Sequence, residues 1–350
     1  MIITTTIPYK SIYIFDDKVL LYRRGAFYLA EYDKIKLLVR CSLSPLKRIA
    51  SKVRIINRLL RLEPRAVERL SQEKFVVCFA HKIWILDIDK KEMRVVFENR
   101  IGWSDTLNFC SDGKCIYWGE YGHNDERGEV KIYRMSQDER VNEAYSFPAG
   151  TVRHIHNIFL DQEKGGFWML TGDNDAKSGI YRVSADWRTV TPIKTGKQRF
   201  RAVAGFSYND GLIYATDSVT DINHIYLLSA DGSLKDLAII NGSCIYGTET
   251  RTHYIFSTSV EPPEGGSIAN MLSHKRGSGI MSRDVHIVTI RKKDLAVKIA
   301  AIYKKDWLPL KLFQYGSAMF PKGQTQSDRL WHYVMACKGV DGKSLLIDLD

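Results

Sequence analysis

Val203-Ala-Gly-Phe-Ser-Tyr-Asn-Asp-Gly-Leu-Ile-Tyr-Ala-Thr-Asp217 places two short apolar, aromatic-rich runs on either side of Asn-Asp-Gly and ends on an acid. It reads as strand, tight turn, strand, because Asn, Asp and Gly tolerate the left-handed backbone that a short hairpin demands. The same order recurs in Leu107–Glu120 around an Asp-Gly turn and in Ile158–Asp173 around a Lys-Gly-Gly turn. After each acid a polar loop leads to a third strand, Val130–Arg134, Gly179–Val183 or His224–Leu228, and a fourth follows. Four antiparallel strands in roughly 40–50 residues make one propeller blade, and radial packing of blades shields most sheet edges.

Weaker copies at Lys18–Arg40, Phe75–Phe97, Tyr254–Tyr303 and Ala318–Leu349 bring the expected count to seven. The last copy runs out one strand short, while the alternating Ile2–Ile7 has no blade of its own. The two ends are therefore expected to complete one sheet, which leaves no free edge and makes truncation of either end destabilising. The expected fold is all-β: a seven-bladed β-propeller over residues 1–350 as one domain, closed by the N-terminal strand and carrying one helical insertion.

Composition narrows the function classes. A hydrophobic fraction of 45% in 350 residues is far from the composition of a disordered chain. Lysine and arginine outnumber acids by 51 to 40, a balance that favours anionic partners in general. No basic-aromatic strip or nucleic-acid motif accompanies that charge, so no specific nucleic acid is expected. No apolar run approaches the roughly 18–20 residues of a membrane span, and the first residues lack a secretory pattern. The expected location is the cytoplasm, with peripheral attachment to the inner membrane left open. Cys41, Cys78, Cys110, Cys115, Cys244 and Cys337 form no CxxC pair and read as buried thiols.

Two segments interrupt the repeat. In residues 44–63 Leu46, Ile49, Val53, Ile56 and Leu60 recur at three- and four-residue spacing, with Lys47, Arg48, Lys52, Arg54, Arg58 and Arg61 between them. This predicts a basic amphipathic helix that either packs its apolar stripe on a blade or docks on an anionic membrane or a protein partner. Residues 261–283 are rich in turn-forming and polar groups and too long for an idle hairpin, which makes them a candidate lid.

In a blade the innermost strand begins and the second strand ends on the same face of the disc, so polar residues at those positions converge at one channel mouth. The strand starts supply Trp103, Asp105, Arg153, His154, His156, Arg199 and Arg201; the strand ends supply Glu120, Tyr121, His123, Asp173, Asp175 and Asp217. His154 and His156 can hold a divalent metal with Asp173 or Asp217, or can hydrogen-bond loops and stack on a sugar with no metal. Glu120, Asp173 and Asp217 are candidate general acids and bases for a glycosidic bond, or caps of turns. Arg153 and Arg201 either clamp a ligand carboxylate or phosphate or pair with the local acids. Trp103 and Tyr121 offer flat faces for sugar stacking or for blade packing. Asp105, His123 and Asp175 complete the candidate substrate-binding set.

Trp118–Tyr121, Arg127–Arg134, Phe147–His156, Thr171–Asp175, Gln198–Val203 and Thr216–Ser218, in that order, resemble the sialidase-like BNR-repeat propeller proteins of bacteria. The resemblance covers roughly residues 100–260 and implies a propeller linked to bacterial surface polysaccharide. The outer Asp-box turns of that family are eroded here, with only fragments retained in Ser184–Thr189 and Ser136–Asp138. His-x-His followed by Gly-Asp is also similar to propeller polysaccharide lyases that use histidine and a metal. The expected function is thus a carbohydrate-active propeller on an acidic or surface polysaccharide, hydrolase or lyase. The alternative is a noncatalytic glycan-binding or scaffold propeller in a polysaccharide assembly system.

Overall fold

The computed structural model of the protein describes residues 6–31, 34–265 and 267–349. Its strands form seven four-stranded antiparallel sheets and one two-stranded ribbon, and the fold is a seven-bladed β-propeller. Within a blade the second strand is covered on both faces, so Gly211–Thr216 and His253–Ser259 are buried throughout. Fourth strands such as Lys34–Arg40 and Leu234–Ile240 keep their lysines in solvent. That contrast explains why the middle hairpins were the readable part of each repeat.

The chain divides into two compact units. One comprises Met1–Glu63, Asp217–Ile225 and Asp236–Asp350. It holds the first sheet (Lys10–Phe15, Lys18–Arg23, Ala26–Glu31, Lys34–Arg40) and the sixth (Ser243–Glu249, His253–Ser259, Asp284–Arg291, Val297–Lys304). Its closing sheet joins Ser317–Met319, Arg329–Met335 and Lys343–Asp348 to the strand Thr6–Ile7. Thr6 pairs with Leu345 and Ile7 with Ser344, as expected for closure by the chain ends; the earlier part of the predicted 2–7 strand lies outside the described residues. Ser344 fastens the junction: its hydroxyl donates to the Tyr9 carbonyl at 2.8 Å and accepts the Ser11 amide at 2.9 Å.

The other unit comprises Pro64–Thr216 and Tyr226–Lys235. It holds the second sheet (Ala66–Arg69, Lys74–Phe79, Lys82–Asp87, Glu92–Glu98), the third (Cys110–Ser111, Cys115–Gly119, Val130–Ser136, Val141–Phe147) and the fourth (His154–Leu160, Phe167–Gly172, Gly179–Val183, Val190–Thr195). The first two strands of the fifth, Ala202–Tyr208 and Gly211–Thr216, also belong here. Apolar side chains from consecutive sheets interlock, as Tyr117 of the third does with Phe167 and Trp187 of the fourth.

A β-bulge recurs on the innermost strands. The register slips by one residue at Ile12 in the first sheet, His156 in the fourth, Val203 in the fifth and Ile245 in the sixth. A bulge re-aims the extra side chain and bends its strand. Three of the four positions carry an aliphatic residue; the fourth sheet carries a histidine.

The helical insertion departs from expectation in two ways. It forms two short helices, α1 (Pro45–Ala50) and α2 (Arg54–Leu60), because Ser51 caps the first and the chain turns through Lys52 and Val53. Its polarity is also inverted. Leu46 is 81% exposed and Ile49 63%, while Arg58 is 2% exposed. The buried guanidinium of Arg58 donates to Asp306 Oδ2 at 2.6 Å and to the Phe313 carbonyl. Arg54 bridges Glu63 and Asp341, and Tyr333 donates to Glu63 at 2.9 Å. A paired, hydrogen-bonded guanidinium can be buried where an unpaired one cannot, so the arginine side faces the protein and the apolar stripe faces out.

Residues 261–283 carry α3 (Ile268–Leu272) and are tied down past it. Gly277 N donates to Glu261 O, Gly279 N to Val219 O and Met281 N to Asn241 O, while Ile280 is buried. Gly277 and Gly279 run so close to the Val219 and Asp221 carbonyls that a Cβ at either would lie 2.0 Å from an oxygen. All six cysteines are free thiols, five of them buried. No described helix is long and apolar enough to cross a membrane.

Candidate metal centre

In the second unit buried polar side chains converge at the start of the fourth sheet. His154 opens the strand His154–Leu160 and pairs with Gly172, the last residue of the neighbouring strand; Asp173 follows Gly172. The bulge at His156 aims that ring to the same point as His154. His154 Nε2 and His156 Nε2 lie 3.0 Å apart, and each lies 3.2 Å from Asp173 Oδ1. Gly172 is required beneath them: a Cβ there would stand 2.2 Å from His156 Cε1.

The opposite ring nitrogens fix the tautomer. His154 Nδ1 donates to the Gly122 carbonyl at 2.7 Å and His156 Nδ1 to the Ala202 carbonyl at 2.9 Å. A carbonyl only accepts, so Nδ1 carries the proton in each ring, and in a neutral imidazole Nε2 is then a bare acceptor. Burial of His156 pushes its pKa down, which keeps it neutral. Burial alone would raise the Asp173 carboxyl, and it is held below the usual carboxylate range only where the two histidine Nε2 atoms carry protons to donate to it.

Those two tendencies conflict over one proton. Asp173 is held down by a proton on Nε2, and the burial of His156 resists placing one there. A cation at the meeting point of the three acceptors satisfies both. The separations of 3.0–3.2 Å suit neighbouring ligands at right angles around a cation with bonds of roughly 2.1–2.2 Å. Backbone carbonyls that orient the ligating rings through Nδ1 complete the arrangement that metal-binding histidines use. Among the described residues this is the one group of three histidine, cysteine or carboxylate side chains whose donor atoms converge this closely.

Basic and aromatic groups surround the trio. Arg153 Nη1 donates to Asp173 Oδ2 at 3.1 Å and Nη2 to Asp125 Oδ1 at 2.9 Å. Buried Arg201 donates to the Asp173 carbonyl at 2.9 Å and lies 3.5 Å from Oδ1, and Gln198 Nε2 also donates to that carbonyl. The Tyr121 ring packs 4.5 Å from the His154 ring, with the Arg65 guanidinium 4.9 Å over its other part. Of the expected site residues, the structure brings Arg153, His154, His156, Asp173, Arg201 and Tyr121 together. Gln198 lies in the quoted Gln198–Val203 motif and could have been included; Arg65 and Asp125 carried no repeat signal.

The other expected site residues fall elsewhere. Glu120 is buried and fully occupied: it accepts Arg100 Nε at 2.5 Å, a second bond from Arg100 Nη2, the Lys131 amide at 2.8 Å and the Tyr133 hydroxyl at 3.1 Å. A carboxylate so saturated is a structural anchor and has no capacity left for proton transfer. Asp217 is buried in the other unit beside the Cys244 thiol, outside the trio. Asp105 accepts the His81 amide at 2.7 Å and so caps a turn. Trp103 stacks 5.0 Å from the Arg100 guanidinium and packs on the core of the third sheet. His123, Asp175 and Arg199 are exposed and take no part in the cluster's hydrogen bonds, although Asp175 begins a 3-10 turn and Arg199 lies over Phe200.

Comparison with known proteins adds the following. No family model matches the chain, a sialidase-like one included. Lactonase drp35 of Staphylococcus haemolyticus is 26% identical over 191 residues, which cover 51% of this chain and 55% of the lactonase. The chain therefore spans little more than half the length of that relative. Among solved structures, an oligogalacturonate lyase in complex with manganese superimposes with a TM-score of 0.54 at 10% identity, over 99% of this chain and 90% of the lyase. The oligogalacturonate lyase of Vibrio parahaemolyticus gives 0.55 at 9% identity, over 97% and 89%. The WD40 propeller domain of Doa1 gives 0.56 at 10%, over 97% and 92%. At these identities the structural likenesses establish the shared propeller fold.

Proposed function

We propose that the His154–His156–Asp173 centre binds a divalent cation and acts with it on an acidic sugar polymer, by eliminative cleavage of the lyase kind. The observation that carries this reading is the convergence of two imidazole Nε2 acceptors and a carboxylate oxygen within 3.2 Å, with both Nδ1 protons already donated to backbone. Two similar structures are oligogalacturonate lyases, one of them in complex with manganese, which agrees with the chemistry of the donor set.

His154, His156 and Asp173 would hold the cation, which supplies charge to neutralise a substrate carboxylate and so acidify the neighbouring C–H. The charges of Arg153 and Arg201 balance those of Asp125 and Asp173, so a bound divalent cation would leave the site positive. An anionic ligand matches that balance and a neutral sugar does not. Arg153 spans Asp125 and Asp173 and can turn a free edge to a uronate carboxylate, while the Tyr121 ring presents an apolar face to the sugar. Two histidines committed through Nε2 cannot also accept a proton there, which leaves Tyr121, packed 4.5 Å from the His154 ring, to receive as its phenolate the proton that elimination releases, while the departing glycosidic oxygen takes a proton from water.

The test is metal analysis of the purified protein combined with an assay of uronate oligosaccharides, in which each cleavage creates a double bond seen by ultraviolet absorbance. Stoichiometric metal, turnover on acidic but not neutral oligosaccharides, and loss of both in Asp173→Asn are expected. Tyr121→Phe should keep the metal and lose turnover, whereas His123→Ala should keep both. Folded protein that binds no divalent cation would sink the proposal. Glycan recognition without turnover is the second reading, because Glu120 is saturated by its own partners and Asp125 is engaged by Arg153. It predicts binding that Asp173→Asn weakens and no product with any substrate. Including a lactone in the panel covers the chemistry named by the lactonase relative.

A further inference from the structure

The inverted helix pair has the composition of a membrane-contacting surface. Leu46, Ile49, Val53, Ile56 and Leu60 project into solvent across α1 and α2, and no acidic residue occurs between Ser44 and Leu62. Two of the six basic residues, Arg54 and Arg58, are spent inward on Glu63, Asp341 and Asp306; Lys47, Arg48, Lys52 and Arg61 remain exposed beside the apolar stripe. The inward salt bridges thus hold large hydrophobic side chains in water, where a contiguous patch marks an interaction site.

The second insertion joins the same surface. The segment Asp306–Gln314 bonds to α2 on one side, through Arg58 to Phe313 and Gln314 to the Arg58 carbonyl. On the other side it bonds to the α3 loop, through Leu310 N to Ser273 O and Lys311 to Gly265. Trp307 in this segment is 73% exposed, and Ile268 and Leu272 of α3 are exposed as well. A solvent-facing tryptophan among aliphatic and basic residues is the set that an interfacial protein places at the headgroup level.

We infer that α1, α2 and the Trp307–α3 margin dock the protein on an anionic lipid bilayer, with the aliphatic stripe entering the headgroup boundary and Lys47, Arg48, Lys52 and Arg61 meeting lipid phosphates. The charge decides between a bilayer and a second copy of the chain. A two-fold interface would bring the same four cations against themselves, whereas an anionic bilayer supplies their complement.

Flotation with vesicles of phosphatidylcholine containing phosphatidylglycerol, against phosphatidylcholine alone, tests this. Binding is expected on the anionic vesicles and should weaken with salt. Lys47→Glu with Lys52→Glu should lower partitioning at least ~30-fold, since losing each basic residue near such a surface costs about fivefold and each glutamate adds repulsion. Ile49→Asp with Ile56→Asp should lower it at least tenfold while the thermal midpoint stays within a few degrees of the parent, since both side chains are exposed. If the aspartate pair fails to fold, the lysine pair still decides. The inference is overturned by equal binding to both vesicles, by no binding, by binding that neither pair reduces, or by a dimer in sedimentation equilibrium that the aspartate pair dissolves.

Discussion

Gly172→Ala probes the proposed metal centre without touching His154, His156 or Asp173. The added Cβ would lie 2.2 Å from His156 Cε1 and 2.7 Å from Nε2, where ordinary contact begins near 3.4 Å. The ring must therefore retreat by about 1.2 Å, the difference between 3.4 and 2.2 Å, or the backbone must move as far. Either shift exceeds the roughly 0.2 Å tolerance of a metal–ligand bond and strains the Nδ1 bond to the Ala202 carbonyl. Since losing only the hydrogen bond that orients a ligand costs about 10–100-fold in affinity, displacing the ring should weaken manganese binding by about 100-fold or more. The accompanying overpacking should cost about 1–3 kcal/mol of stability. Titration calorimetry of the metal-free protein with manganese reads the first quantity and urea denaturation the second. Gly128→Ala is the control, because the nearest atom to its Cβ is Asn124 Oδ1 at 3.7 Å. A folded Gly172→Ala protein that binds manganese as tightly as the parent would refute the role of His156 as a ligand.

Three further outcomes are expected. Arg58→Ala removes the bonds to Asp306 Oδ2 and the Phe313 carbonyl, although Lys305 still meets Asp306, and should cost about 1.5–3 kcal/mol in urea denaturation, with increased proteolysis in residues 44–63; a change below about 1 kcal/mol would mean the pair carries no weight. His332 is wholly buried and its Nε2 accepts the Tyr303 hydroxyl at 2.6 Å, and burial lowers its pKa from 6.5 to about 4. The stability it supports is full above pH 6.5 and falls as the pH drops towards 4, because the unfolded chain takes up a proton that the folded one resists. The loss should approach about 3 kcal/mol and be absent in His332→Gln, as pH-dependent urea midpoints will show. Removing residues 1–7 deletes the pairs with Leu345 and Ser344 and uncovers the site of buried Ile7, so the truncated protein should lose at least about 2 kcal/mol; an unchanged melting curve would show that closure does not depend on this strand.

The blade count and the end-to-end closure were legible because tight turns are set by a few residues with special backbone freedom, and those residues recur. The innermost strands were less so. Lys10–Phe15 and Ala66–Arg69 have no turn signal before them, and the first two repeats were read as starting at Lys18 and Phe75. Periodicity placed Leu46, Ile49, Val53, Ile56 and Leu60 on one face correctly, but it cannot say which face is buried. That depended on Glu63, Asp306 and Asp341, of which the last two are some 250–290 positions distant from their arginines. At the candidate site, the rule that strand starts and strand ends meet brought His154, His156, Asp173, Arg153, Arg201 and Tyr121 together. The same rule failed for Glu120, because whether a carboxylate is free depends on a neighbour such as Arg100, and spacing does not encode that choice.

The bulge on the innermost strands has a consequence for how such a centre arises. Ile12, Val203 and Ile245 occupy the backbone position that His156 occupies in the fourth sheet. The distortion that aims the His156 ring is therefore already present in three blades whose bulge carries an aliphatic side chain. A histidine placed at one of those bulges would start from a backbone already bent for it, and would need a small neighbour such as Gly172 to make room for the ring.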